Sequence, residues 1–173
     1  TSEWGNPSSS HAYGVRAHTA LEDARARVAA LIGAGPSEIV FTGGGSEADA
    51  LAIRGAVLAA LTSDPRFAGT GTRPHVITQA TEHPAVLAAC RELADLHGVE
   101  VTVLPVDGAG RLSPDDVAAS ITPATVLVTV MHANNETGTL QPISDIARVA
   151  HARGVLVQSD AAQSVGKVRV DVE

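Results

Sequence analysis

Apolar positions along the chain fall into short unbroken runs that alternate with longer stretches of helical spacing. Thr125 to Val130 is apolar and β-branched, and His75 to Thr78, Val99 to Leu104 and Val155 to Gln158 are runs of the same kind. Each reads as a strand, and Glu38 to Phe41 reads as a further short one. Leu21, Ala24, Val28 and Leu31 recur at helical spacing and predict a helix from about His18 to Ile32, stopped by Gly33. Ser46-Glu47-Ala48-Asp49 has the form of a capping box opening a helix to about Leu61. Pro84 to His97 predicts a helix closed by Gly98. Ser113-Pro114-Asp115-Asp116 is a cap, a first-position proline and two acids, which together start a helix. Another is expected from about Ser144 to Arg153, ended by Gly154. Thr1 to Ser10 and Ser63 to Pro74 read as loops, and Val168 to Val172 resembles an entering strand. Strands alternating with helices predict an α/β fold: three layers, with a mainly parallel sheet flanked by helices. No internal repeat and no domain boundary is visible.

Composition narrows the picture. The chain has 173 residues and is 45% hydrophobic, enough to build a core, but aromatics are only 2%. Ala, Val, Leu and Ile must therefore fill it. A formal net charge of −7 leaves no electrostatic footprint for nucleic acid. No apolar run reaches membrane-spanning length, so no membrane partner is expected. No basic-then-apolar leader opens the sequence, and a cytoplasmic setting is the expectation. Cys90 is the only cysteine, which excludes an intrachain disulfide and a multi-cysteine metal site. The seven histidines lack a metal-ligand spacing.

Hydrophobic burial does not explain the residues just past the strands. After Thr125 to Val130 comes Met131-His132-Ala133-Asn134-Asn135-Glu136-Thr137-Gly138, two amides, an acid and a glycine together. Similar clusters come after the other runs: Gly43-Gly44-Gly45-Ser46, Glu82-His83 and Asp160-Ala161-Ala162-Gln163. Open α/β sheets bind ligands beyond the carboxyl ends of their strands, so Gly45, His83, Asn135 and Asp160 are expected at one edge. Glycines before a helix start admit a phosphate to free N–H groups, although an ordinary tight turn has the same look. The run Gly43 to Ala48 also fits the dinucleotide fingerprint G-x-G-x-x-A, with Asp64 at the right distance for a ribose contact but placed in a Ser-Asp-Pro loop. Asp160, at the end of an apolar strand, needs a cationic partner or a cap, and the protonated ring nitrogen of pyridoxal phosphate is one candidate. Asn135 and Gln163 suit a phenolate or carboxylate oxygen. His83 sits where an imidazole can stack on a flat ring and move protons. Cys90 reads as a core residue within its helix. Lys167, the sole lysine, comes after Gly166 in a turn and is expected to point to solvent.

Taken together these runs resemble the cysteine desulfurase family of class-V aminotransferase-like, fold-type-I pyridoxal phosphate enzymes. The runs are Gly5 to His11, Glu38 to Ala48, Glu82 to Val86, Met131 to Gly138 and Asp160 to Lys167, in family order over nearly the whole chain. The resemblance implies that Gly45 and Ser46 hold the cofactor phosphate. It implies that His83 stacks on the ring as the catalytic acid/base and that Asn135 reaches the substrate carboxylate and ring hydroxyl region. Asp160 would pair with the ring nitrogen and Gln163 with the ring hydroxyl. The family usually has Thr at the place of Ser46 and Asn at the place of Asp49.

For function the resemblance implies a cysteine desulfurase. L-cysteine becomes L-alanine, and sulfur passes to an enzyme cysteine as a persulfide, for iron–sulfur cluster or thio-cofactor assembly. Implied partners are a sulfur acceptor or scaffold protein and a second copy in a homodimer. The family's Schiff-base lysine, catalytic cysteine and small C-terminal domain have no counterpart here. Residues 1–173 are accordingly expected to be part of the large cofactor-binding domain, inactive alone. Selenocysteine lyase or another class-V aminotransferase-like enzyme is the nearest enzymatic alternative. A dinucleotide-binding dehydrogenase domain and a non-enzymatic assembly domain are alternatives of other classes.

Overall fold

The four apolar runs form strands β1 (His75–Gln79), β2 (Glu100–Leu104), β3 (Thr125–Thr129) and β4 (Leu156–Gln158). The structure is a computed structural model describing residues 4–172; Thr1 to Glu3 of the expected N-terminal loop lie outside the described residues. The strands pair in parallel in the order β2-β1-β3-β4. Between β1 and β3 the register slips by one residue after His75, so that Val76 faces Leu127 and Ile77 faces Val128.

That register decides which helices each side chain meets. Val76 and Leu127 pack with Ile53 and Val57 of α2 (Gly45–Ser63) and with Val86, Ala89 and Leu93 of α3 (Pro84–His97). Ile77 and Val128 turn the other way, onto Val117 of α4 (Pro114–Ser120) and Ile146 and Ala150 of α5 (Ile143–His151). Helices cover both faces, which is the expected three-layer arrangement. β1 and β3 are buried along their whole length. At the amino ends of the strands the buried His75 ring spans the sheet: its Nδ1 bonds Thr125 Oγ1 and its Nε2 bonds Thr102 Oγ1, both at 2.8 Å.

Helix ends follow local chemistry. Ser113 Oγ accepts the Asp115 and Asp116 N–H groups at the start of α4. Gly98 closes α3 with φ +66°, a left-handed conformation that a side chain disfavours.

The chain divides into two compact units, one of Thr42–Gln163 and one formed by the residues through Phe41 together with those from Ser164. The second unit departs from expectation in three places. Its helix α1 spans Ala12–Ile32, beginning well before His18, because His11 Nδ1 accepts the Gly14 N–H at 3.2 Å and caps it. The expected stripe is not the buried one: Leu21 is half-buried, Ala24, Val28 and Leu31 are exposed, and Gly14 and Ala29 are the buried positions. Neither expected terminal strand forms. Pro36–Glu38 is a 3-10 turn with extended chain after it, and Val168 makes only an isolated bridge to Val165. A β-patterned segment becomes a strand only where a ladder neighbour takes its N–H and C=O groups, and no such neighbour stands beside these segments among the described residues.

Ile77 is fully buried at the centre of β1. Ile77→Ala should lower stability by about 2–5 kcal/mol, and Ile77→Val by about 0.5–1.5 kcal/mol. Urea unfolding measures both, and equal midpoints for the alanine variant and the wild type would contradict the packing described.

Candidate active site

β1 connects through α3 to β2 on one side of it, whereas β3 leads on to β4 on the other. The chain directions part between β1 and β3, and in an open parallel sheet the crevice beyond that point is where ligands bind. A crevice of about 290 Å³ lies there, lined by Gly45, Ser46, Asp49, His83, Met131, Ala133, Asn135, Asp160, Ala162 and Gln163. All six residues singled out in the sequence line it, and they come from four separate segments.

Gly45 and Ser46 open α2. The expected capping box does not form: Gly44 is the cap residue and offers no side chain, while the Gly43 N–H is taken by Glu47 Oε2 at 2.6 Å. The first helical bond runs from the Ala48 N–H to the Gly44 carbonyl. The N–H groups of Gly45, Ser46 and Glu47 precede that ladder and are available to an anion. A Cβ added at Gly44 or Gly45 would meet nothing within 4 Å, so the space over this turn is open.

His83 caps α3, its Nδ1 accepting the Ala85 N–H at 3.2 Å. An accepting Nδ1 places the proton of the neutral ring on Nε2. The ring is exposed to the crevice rather than packed away.

Asn135 belongs to a turn organised by its neighbour. Asn134 Oδ1 accepts the Glu136 and Thr137 N–H groups at 2.9 Å each, and Asn134 Nδ2 donates to the Thr81 carbonyl at 3.0 Å. Asn134 thus shapes the turn and Asn135 is left exposed on it. Nothing in the sequence separates two adjacent asparagines into these tasks; only the turn does.

Asp160 continues the β3–β4 pairing beyond the strand ends. The Val130 N–H bonds the Gln158 carbonyl at 3.1 Å, and the His132 N–H bonds the Asp160 carbonyl at 2.8 Å. Asp160 Oδ1 accepts the Ala162 N–H at 2.9 Å, which fixes the carboxylate at the mouth of the crevice. Gln163 comes next on the same turn.

Asp49, which the sequence marked only as a departure from the family's usual Asn, also lines the crevice. It is buried one turn into α2, and its Oδ1 accepts Gln158 Nε2 at 3.1 Å; Gln158 Oε1 in turn takes the Thr129 hydroxyl. Burial holds the Asp49 pKa above the ordinary carboxyl value and Asp160 reinforces it, while the Gln158 bond and His83 work the other way. The signal for Asp49 was its spacing, since position i+3 from Ser46 shares that residue's face of the helix.

The dinucleotide alternative loses its two supports. No strand precedes the glycines among the described residues, and Asp64 caps the end of α2 while bound by Arg66 at 2.7 Å. Lys167 is exposed and belongs to the other unit. Cys90 is buried in the core, its thiol pushed up to about 11 chiefly by burial. No cluster of metal-ligating side chains exists among the described residues, and no helix among them is long and apolar enough to cross a membrane.

The sequence profile of the family Aminotransferase class-V matches residues 1–173. Among curated relatives, the mitochondrial cysteine desulfurase of Arthroderma benhamiae is 45% identical over 99% of this chain and 33% of its own length. The cysteine desulfurase IscS of Anaeromyxobacter sp. (strain K) is 47% identical over all of this chain and 41% of its own length. The chain therefore spans well under half of these relatives. The solved structure of SspA in complex with cysteine superposes with a TM-score of 0.90 at 40% identity, over 99% of this chain and 47% of that one. DndA from Streptomyces lividans superposes at 0.82, also at 40% identity, over 98% of this chain and 45% of that one.

Because the folded chain binds the Asp49 proton more tightly than the unfolded chain does, this residue's contribution to stability falls as pH rises above the ordinary carboxyl value of 3.8. Asp49→Asn keeps an oxygen for Gln158 and removes the ionisation. In urea unfolding the variant should be the more stable at about pH 7, with the gap closing as pH approaches about 4. Equal stability at neutral pH would mean that the carboxylate is not desolvated.

Proposed function

The chain belongs to the class-V aminotransferase family, and on that premise we propose that its crevice holds pyridoxal 5′-phosphate in a cysteine desulfurase. The observation that carries the reading is the donor and acceptor set gathered from four segments around one opening. The α2 N–H groups with the Ser46 hydroxyl suit a phosphate. Asp160, with Oδ1 occupied by the Ala162 N–H, keeps Oδ2 for a pyridinium N–H. The Gln163 and Asn135 amides suit a ring hydroxyl and a substrate carboxylate. The His83 ring suits stacking, and its Nε2 the movement of a proton. When bound, the cofactor supplies an electron sink for charge that builds on the substrate carbon.

The chain's own residues then orient, neutralise and shuttle. Asp160 keeps the ring nitrogen protonated. The α2 amino end and Ser46 hold the phosphate, and His83 and the Asp160 turn hold the ring. His83 exchanges a proton with the substrate. Asp49 adds a second carboxyl beside Asp160, and burial together with Asp160 raises its pKa above the ordinary carboxyl value.

L-cysteine is the proposed substrate and L-alanine the product, with sulfur passed to an enzyme cysteine as a persulfide and from there to an acceptor or scaffold protein. Neither Lys167 nor Cys90 is assigned a reacting role. The proposal takes residues 1–173 as part of the large domain and assigns the Schiff-base lysine and sulfur-accepting cysteine to other parts of the whole protein. A homodimer is the proposed assembly and the cytoplasm the proposed setting; a lone, buried, weakly acidic cysteine accords with a reducing compartment.

Asp160→Ala in the whole enzyme should cost about 2–4 kcal/mol of transition-state stabilisation, read as alanine released from L-cysteine. In the 173-residue chain the same change should weaken pyridoxal phosphate binding, followed by cofactor absorbance. Near-normal desulfurase rates in the variant would refute the assignment.

A further inference from the structure

Glu82 stands between the end of β1 and His83, yet it does not line the crevice. It is 6% exposed. Its Oε1 accepts the Met131 N–H at 2.6 Å, while Oε2 is buried with no hydrogen-bond partner among the described residues. The Asn134 bond to the Thr81 carbonyl runs alongside. These two bonds stitch the turn after β1 to the turn after β3.

We propose that Glu82 is a positioning residue: its carboxyl grips the Met131 N–H and so sets the spacing between the turn carrying His83 and the turn carrying Asn135. The inference rests on the proposed cofactor site for what that spacing serves. A buried carboxyl is a costly way to hold one N–H, since an amide oxygen would accept it without a charge. What a carboxyl adds is a bond whose strength follows a proton, because an ionised acceptor binds an N–H more strongly than a neutral one.

The surroundings place that proton in the neutral range. Asp160 beyond β4 and Asp49 on α2 face the carboxyl, Cys90 lies near it on α3, and His83 is its chain neighbour. Burial first, then Asp160 and Asp49, raise the Glu82 pKa to about 7, against the Met131 N–H bond and the nearby Gln79 amide, which makes no hydrogen bond to Oε2. As pH rises through this range the grip on Met131 tightens. A change in the charge of Asp49 or Asp160 shifts the range itself, so the stitch responds to what the crevice holds.

Met131 is the only methionine, so nitrogen-15 methionine labelling gives a single backbone amide signal from the atom that Glu82 holds. In the wild-type chain that signal should move with pH around a midpoint of about 7, and in Glu82→Gln it should stay still. Pyridoxal phosphate affinity should stay within about twofold in Glu82→Gln, which keeps an acceptor oxygen, and fall about tenfold in Glu82→Ala, which leaves the N–H unpaired. A midpoint in the ordinary carboxyl range, or movement that persists in Glu82→Gln because His83 is the group titrating, would overturn the proposal. So would wild-type affinity in Glu82→Ala. The wild-type and Glu82→Gln titrations decide the matter even where Glu82→Ala does not fold. They need no cofactor, so their failure removes Glu82's role and leaves the cofactor reading standing; failure of the wild-type chain to bind pyridoxal phosphate does the reverse.

Discussion

The ladder between β1 and β3 is the constraint on which the sheet unit depends. Both strands are buried throughout, and their paired residues send alternate side chains to opposite helical layers. The same pairing is where the chain parts, β1 feeding β2 on one side and β3 feeding β4 on the other. Two neighbouring strands whose continuations diverge leave a gap beyond their carboxyl ends. The crevice is thus a consequence of strand order, and the residues after β1 and β3 line it because they emerge on either side of the gap.

A gap between diverging turns needs something to fix its width, and polar bonds do this. Met131 to Glu82 and Asn134 to Thr81 join the two turns across the opening. His132 to Asp160, with the Ser159 hydroxyl on the Val130 carbonyl at 2.7 Å, extends the β3–β4 pairing to the turn carrying Asp160 and Gln163. Thr129, Gln158 and Asp49 link the sheet to the first turn of α2. Every segment that lines the crevice is bonded to a neighbour that also lines or supports it.

Those bonds concentrate acid. Asp160 raises the proton affinity of both Asp49 and Glu82 in a partly desolvated space, and the repulsion among the three carboxyls opposes folding. A cation or protonated ring nitrogen at this place relieves the repulsion, and a ligand that does so favours the folded chain by mass action.

The sequence by itself determined the central strands, α3 and its bounding Pro84 and Gly98, the cap of α4 at Ser113, and the six lining residues. Each of these rests on local chemistry: β-branched runs, a proline without an N–H, a glycine free to take positive φ, a glycine run before a helix start for Gly45 and Ser46, and polar residues placed past strand ends for the other four lining residues. Only the tertiary structure decided the rest. Glu38 to Phe41 and Val168 to Val172 carry strand patterns but have no ladder neighbour among the described residues, and pairing is not a local property. The spacing of α1 was legible, but which positions it buries was not, because burial is set by what packs against a helix. Asn134 and Asn135 are identical in type and adjacent in sequence, and the fold alone makes one the frame of the turn and the other its exposed face. Glu82 was legible as part of a strand-end cluster and Asp49 as an acid where the family usually has Asn, but their coupling to Asp160 was not, because charges interact through space and the sequence records only order along the chain.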